Sequence, residues 1–485
     1  MSSSAHAKSP VFDIGVNGRV PFKDAVLMGL QNVFVMTGIF VFPGIMGKTL
    51  HLPLDTVAYL YAVTFVSCGV TSLLMATVLG RMPLVAGPYA GIFTALLTFG
   101  KTPGGLGTAF GSLAAASLIW CALSIPIRGK SPVGLLSRVI RNPVIAGVII
   151  MLVMMQVADL SFPHWIGKPE DRSFGLLNVG SGLVTALVLM SLICIRHPMA
   201  RRLALLISLV AGAALFEIFA PINFAAVAHA PWLVTPRLFP FGIGFDPAFC
   251  LVYFVILIAV NVQTMTLMSV VGEWTGESMS GSRLSKGVLA MMLGSAVGAS
   301  IGSFSNLPYP ANVAILRSTG VASRWVTAAT GVILIAMGFC TKVDYVFVLL
   351  PVPVLSAAAT VLFGIVFVHG VEMLAKVDWD ERSLAIAGFT LMLGFGSLFI
   401  EPKTLAAMPL FVSLLLHQPI IVGVFSLLLL SAVLPGGRRI AKKTASGGGQ
   451  PADQLSLPLP LLSNPAETFP HARPEPARPD LRQDC

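Results

Sequence analysis

The chain is 485 residues long, 55% hydrophobic and only 11% charged, with a mean hydropathy of +0.86. Soluble domains carry about a quarter charged residues, so this composition excludes a water-soluble globular protein, whose surface it could not cover. The net charge of +10 does not point to nucleic acid, because Lys and Arg fall in the short connections between apolar runs.

In chain order, residues 1–22 are polar, and no short apolar stretch followed by a small-residue cleavage site is present, so no cleaved signal peptide is expected. Apolar runs then recur at 25–44, 57–79, 83–99, 106–127, 142–162, 177–196, 203–220, 247–271, 285–304, 310–320, 325–341, 346–374, 383–400 and 411–435. Most are long enough for a hydrocarbon core of about 30 Å, which predicts an all-α polytopic membrane protein of about fourteen segments. The basic clusters Arg128/Lys130/Arg138/Arg141, Arg196/Arg201/Arg202 and Arg438/Arg439/Lys442/Lys443 fall on one side of such a topology. That side is expected to be the cytoplasm, so both termini are cytoplasmic in a cell membrane such as an inner membrane. From 436 the chain turns to Gly, Pro, Ser and charge (SGGGQPADQ, PEPARPD), a composition that cannot bury a core, and 436–485 is expected to be a disordered tail.

Five of the six cysteines, Cys68, Cys121, Cys194, Cys250 and Cys340, lie in or at the ends of apolar runs without CxxC spacing, and the sixth, Cys485, ends the chain. No metal, cofactor or disulfide framework is implied. HExxH, clustered carboxylates and a nucleophile elbow are also missing, so no enzymatic activity is expected.

The third and tenth segments are unusual in the same way. The third opens MPLVAGPYAG (82–91) and the tenth is preceded by SFSNLPYPAN (303–312), each with prolines at what should be membrane depth. Proline removes a backbone donor and breaks a helix, so each segment is expected to be part extended and part half-helix. Such backbone survives in a bilayer only where protein or a water-filled cavity satisfies it. The two breaks occupy equivalent places in two halves of seven segments, and an odd number per half inverts one half relative to the other. Paired interrupted segments in inverted repeats mark a transporter's midplane site, with half-helix N-termini aimed at the solute.

The stretch GSFSNLPYPANVAILRSTGVASR (302–324) resembles the signature of the nucleobase/ascorbate transporters, the nucleobase:cation symporter family of uracil, xanthine and uric acid permeases, through Asn312, Thr319, Gly320, Ser323 and Arg324. The likeness extends to LPVPVLSAAATVLFGIVFVHG (350–370) and to QNVFVMTGIFVFPGIMG (31–47). It implies a core domain of segments 1–4 and 8–11 and a gate domain of segments 5–7 and 12–14, together 23–435, with a homodimer formed through the gate. The implied function is a permease of a nucleobase-like solute, and the rival is a carrier of a small organic or inorganic anion on the same fold. The implied partners are the small-molecule solute and membrane lipid.

Matching VNVQTMTLMSVVGEWTG (260–276) to the family places Gln263 where a carboxylate is usual, Ala311 where Gln or Glu precedes the motif Asn, and Gly87-Pro88-Tyr89 at a Ser-rich turn. Gln263 offers a donor and an acceptor to a heterocyclic edge. Asn312 could cap the tenth half-helix or orient the solute, Tyr89 could stack on a flat ring, and Asn32 and Thr264 are further contacts. Arg317 is the one basic residue read as intramembrane and is expected to snorkel to the cytoplasmic face. With no acid between Asp246 and Glu273 in segments eight to ten, proton coupling is expected to be atypical or absent.

Overall fold

The computed structural model describes residues 12–434 apart from 103, 128–130, 135–142, 157, 159–161, 168–173, 196–199, 201–203, 222–224, 376, 409–411, 414–415 and 417–418. The expected tail, Asp159, and the side chains of Ala311 and Arg317 lie outside the described residues.

The first half contains α1 (Phe22–Val35), α2 (Thr37–Thr49), α3 (Leu54–Leu73, extended by a π turn Leu74–Val78), β1 (Ala86–Pro88), α4 (Ala90–Phe99), α5 (Gly105–Ser124), α6 (Pro143–Gln156), α7 (Leu176–Cys194) and α8 (Ala204–Phe219). The second contains α9 (Pro247–Thr275), α10 (Gly281–Ser300), β2 (Asn306–Pro308), α11 (Pro310–Thr319), α12 (Arg324–Phe339), α13 (Thr341–Val348), α14 (Val352–Ala375), α15 (Glu381–Ser397) and α16 (Pro419–Val433). Helix ends follow local chemistry. Asp246 Oδ1 accepts from the backbone N–H of Ala248 (2.7 Å) and Phe249 (3.2 Å), so this acid caps α9. Gly276 and Gly320 stop α9 and α11 in the left-handed conformation, with φ of 72° and 71°.

The distribution of polarity is that of a membrane protein. Along α3, Thr64, Ser67, Thr71 and Ser72 are turned inward, while Leu183, Leu187 and Met190 of α7 and Phe389 and Met392 of α15 are exposed at helical spacing. Water would not tolerate those outer faces, whereas acyl chains do. Among the described residues five helices, Leu54–Val78, Gly105–Ser124, Leu176–Cys194, Pro247–Thr275 and Val352–Ala375, are long and apolar enough to cross a bilayer.

Packing repeats between the halves. α3 lies on α12 as α5 lies on α10; α1 lies on α12 as α9 lies on α5; α7 pairs with α8 as α15 pairs with α16. Exchanging each element for its counterpart therefore returns the same neighbours. The two broken segments meet on the axis of that exchange. β1 and β2 pair antiparallel, with Ala86 opposite Pro308, Gly87 opposite Leu307 and Pro88 opposite Asn306. The antiparallel sense is what an inverted repeat requires.

One expectation is refined. The first apolar run is not a single helix: it breaks at Met36 (φ −86°, ψ 73°), between α1 and α2. Pro43, the only proline of that run, lies inside α2 and does not end it.

Candidate solute site at the strand crossing

Two extended peptides at the centre of a helical protein need partners for their backbone groups, since an unpaired buried donor or acceptor costs about 1–3 kcal/mol. They find them first in each other. Beyond the strand register, Tyr89 N–H donates to the Ser305 carbonyl (2.8 Å) and Tyr309 N–H to the Val85 carbonyl (3.0 Å). Serines on equivalent helices then hold the outer edges: Ala86 N–H donates to Ser72 Oγ on α3 and Asn306 N–H to Ser295 Oγ on α10, both at 2.9 Å. Asn306 Nδ2 also donates to Ser67 Oγ (2.7 Å) and Thr71 Oγ1 (2.9 Å), fastening β2 to α3.

The crossing is tight because Gly87 has no side chain. A Cβ there would lie 2.4 Å from Tyr309 Cε2 and 3.1 Å from Met36 Cε, so the Tyr309 ring and the break in the first segment both close on this glycine. Tyr89 and Tyr309 are the residues before α4 and α11, in matching extended conformations (φ −94°, ψ 122° and φ −84°, ψ 119°), and neither helix has a side-chain cap. The first-turn N–H groups of a helix have no intrahelical acceptor and carry its positive dipole end. Two such ends therefore flank the crossing, one from each half.

The structure relates the expected site residues to this frame in different ways. Gln263, on α9, donates from Nε2 to the Pro308 carbonyl at 3.4 Å and so touches β2 itself. Asn312 Nδ2 donates to the carbonyl (2.9 Å) and Oδ1 (3.2 Å) of Asn32, whose own Nδ2 donates to Thr330 Oγ1 (3.2 Å). Asn32 and Asn312 thus form one chain of amides between α1, α11 and α12. Tyr89 is buried at the start of α4 and its hydroxyl has no partner; Asn312 Oδ1 is likewise buried and unpartnered. Thr264 is buried too, but its hydroxyl donates to the Val260 carbonyl of its own helix (2.7 Å). It is not drawn to the others.

Three participants were not singled out by sequence. Asn306 lies between two prolines and two serines in SFSNLPYPAN, and its polarity at membrane depth was the available signal. Tyr309 repeats the Pro-Tyr of positions 88–89. Met36 carries no turn signal of its own.

The family model Xan_ur_permease, described as a permease family, matches residues 23–403. The chain belongs to this permease family. It is 25% identical to a putative purine permease of Clostridium perfringens (strain 13), over 87% of this chain and 92% of that one. It is 24% identical to xanthine permease XanQ of Escherichia coli K12 (90% and 97% covered) and 28% identical to uric acid permease PucK of Bacillus subtilis 168 (84% and 94%). The murine anion transporter Slc26a9 shares the fold, with a TM-score of 0.52 at 12% identity over 85% of this chain and 68% of that one. As a permease the chain is a multi-pass membrane protein that handles a small-molecule solute, and its strand crossing is the part of this permease where half-helix ends, amides and the unpartnered Tyr89 hydroxyl come together.

Proposed function

We propose that this permease carries a nucleobase-like solute such as a purine, xanthine or uracil, bound at the β1–β2 crossing. The observation that carries the reading is the pair of buried, unpartnered acceptor groups at the two half-helix starts, the Tyr89 hydroxyl and Asn312 Oδ1. A buried polar atom without a protein partner calls for an explanation, and at two matched half-helix starts a bound solute supplies one. A nucleobase edge presents alternating N–H and C=O groups on a flat ring, which suits a hydroxyl, two amides and the N–H groups of a helix end. The names of the relatives, xanthine, uric acid and purine permeases, point to the same chemistry. The likeness to an anion transporter supports a shared fold and carries no argument about the solute.

In this reading the fourteen segments divide into a core (1–4 and 8–11) and a gate (5–7 and 12–14). The packing favours that division: α3, α5, α10 and α12 lie mainly on one another, as do α6, α7, α8, α14, α15 and α16. Rocking of one unit against the other exposes the crossing to each side in turn. Both termini are cytoplasmic by the basic-residue bias, and the exposed apolar faces of the gate helices meet lipid or a second copy.

The reading is tested by ligand-induced thermal shift of the purified full-length chain against xanthine, urate, uracil, bicarbonate and small carboxylates. A bound ligand stabilises by RT ln(1 + [L]/Kd), so at about 100 times Kd the gain is about 2.7 kcal/mol. Stabilisation by a nucleobase and not by bicarbonate or carboxylates is expected; the reverse pattern would replace this function with anion transport.

A further inference from the structure

The short helix α13 (Thr341–Val348) lies between the apolar stretches 324–339 and 352–375 and docks on the start of α3. The docking seam is narrow. Phe347 packs against Tyr61 (6.0 Å between ring centroids) and Phe65 (5.8 Å), and the Tyr345 hydroxyl donates to Asp55 Oδ1. On either side of the seam lies a cleft of about 460 Å³. One is lined by Asp55, Tyr59, Arg237, Thr341 and Tyr345, the other by Gly47, His51, Val57, Val348 and Leu350. A cleft thus borders each flank of a contact only a few side chains wide.

Inside that contact is Asp344, with 0% exposure and no hydrogen-bond partner on either carboxyl oxygen. The charged and titratable groups on the elements around α13 are otherwise engaged or set apart. Asp55 takes the Tyr345 hydroxyl, and Tyr59 bonds the Arg237 backbone at the cleft; the Tyr61 hydroxyl meets the Gly44 backbone and is also within electrostatic reach of Asp344. Lys342 donates to the carbonyls of Val227 and Ala228 and sits 4.7 Å over the Trp232 ring. Lys48 at the end of α2, His51 after it, His229 and Arg237 make no hydrogen bond to the Asp344 carboxyl, and Cys340 is its thiol neighbour. A carboxylate buried without a countercharge or donor is strongly disfavoured, whereas the neutral acid is tolerated.

We propose that Asp344 is a proton-binding site that controls the α3–α13 seam, closed when the acid is protonated and opened when it ionises into the flanking water. Burial, with Cys340 adding to it, pushes the Asp344 carboxyl up to about 9 in the closed seam. Once hydrated it returns to the ordinary carboxylate range. Closing therefore takes up a proton: the closed seam is favoured at low pH and is lost progressively as pH rises from the ordinary carboxylate value through about 9. Across that window the open-to-closed ratio rises about tenfold per pH unit. The device is independent of which solute the strand crossing takes, and it places a titrating group outside the segments where the sequence offers none.

The test uses the full-length chain with Cys194, Cys340 and Cys485 replaced by serine and a reporter thiol at Ala58, which is buried against Tyr345 and borders one cleft. Maleimide labelling is followed from about pH 6 to about pH 9.5, beside the same protein carrying Asp344→Asn. Thiolate formation raises both rates alike, so the readout is the excess acceleration with Asp344 present. The expected excess is at least about tenfold, kept by Asp344→Glu. Equal pH profiles for the Asp344 and Asn proteins would overturn the proposal. Infrared difference spectra of the unmodified protein over the same range need no neutral variant. A carboxylic-acid C=O band that fades with rising pH and shifts in Asp344→Glu is expected, and its absence would likewise overturn the assignment.

Discussion

The Gln263 Nε2 of helix α9 donates to the Pro308 carbonyl of β2 at 3.4 Å, a long bond to the last residue of the strand before the half-helix begins. The amide is therefore close enough to belong to the crossing, and its bond is weak enough to be exchanged for a solute. Replacing Gln263 with Ala should lower nucleobase affinity by about tenfold, since losing two hydrogen bonds of about 0.5–1.5 kcal/mol each is worth about 1–3 kcal/mol. Gln263→Glu should make affinity depend on pH where the unmodified site residues do not titrate. Isothermal titration with each variant measures both, and unchanged affinity in Gln263→Ala would remove this residue from the site.

Tyr89→Phe separates a solute contact from a structural one. Its hydroxyl has no protein partner, so the change should leave thermal stability within about 0.5 kcal/mol of the unmodified protein. Solute affinity should nevertheless fall about tenfold. Loss of stability without loss of affinity would assign the hydroxyl to packing.

Gly87→Ala should destabilise the crossing by about 1–3 kcal/mol, because its Cβ would lie 2.4 Å from Tyr309 Cε2. In a double-mutant cycle with Tyr309→Ala, thermal melts should show much of that cost recovered, as the ring that makes the clash is gone. Additive effects would mean that the strand backbone, and not the ring, sets the spacing.

Asn306→Ala should cost a similar amount by leaving Ser67, Thr71 and Cys68 without the side chain that they share. Asn306→Ser, which can keep one of these bonds, should recover part of the loss. Chemical denaturation of the solubilised protein gives the order of the three.

The broken segments were legible because proline acts through covalent chemistry that no tertiary contact can repair, and two such breaks in matched positions imply the repeat. Gln263 and Asn312 were picked out by the family resemblance together with their polarity in apolar runs, and Tyr89 by its place beside the proline break; the structure brings Gln263 to β2 and Asn312 to Asn32. The break at Met36 was not legible. Neither Met36 nor its neighbours Val35 and Thr37 would interrupt a helix alone, and in the fold the Met36 side chain lies against Gly87 of the crossing, a contact that no local pattern announces. Pro43, by contrast, is accommodated inside α2 without ending it. Asp344 was hidden for a related reason. At a span end an acid reads as a wetted interface residue, and only the docking of α13 on α3 buries it.

The account's central claim is that solute crosses the membrane by way of the β1–β2 crossing. The most direct measurement is counterflow of labelled xanthine, urate and uracil into proteoliposomes loaded with the same unlabelled base, for the unmodified chain and for Gln263→Ala and Tyr89→Phe. The account predicts transient, saturable accumulation of at least one base, reduced about tenfold or more at low solute concentration in both variants. Accumulation that is unaffected by both variants, or no counterflow of any base while an inorganic anion exchanges, would contradict it.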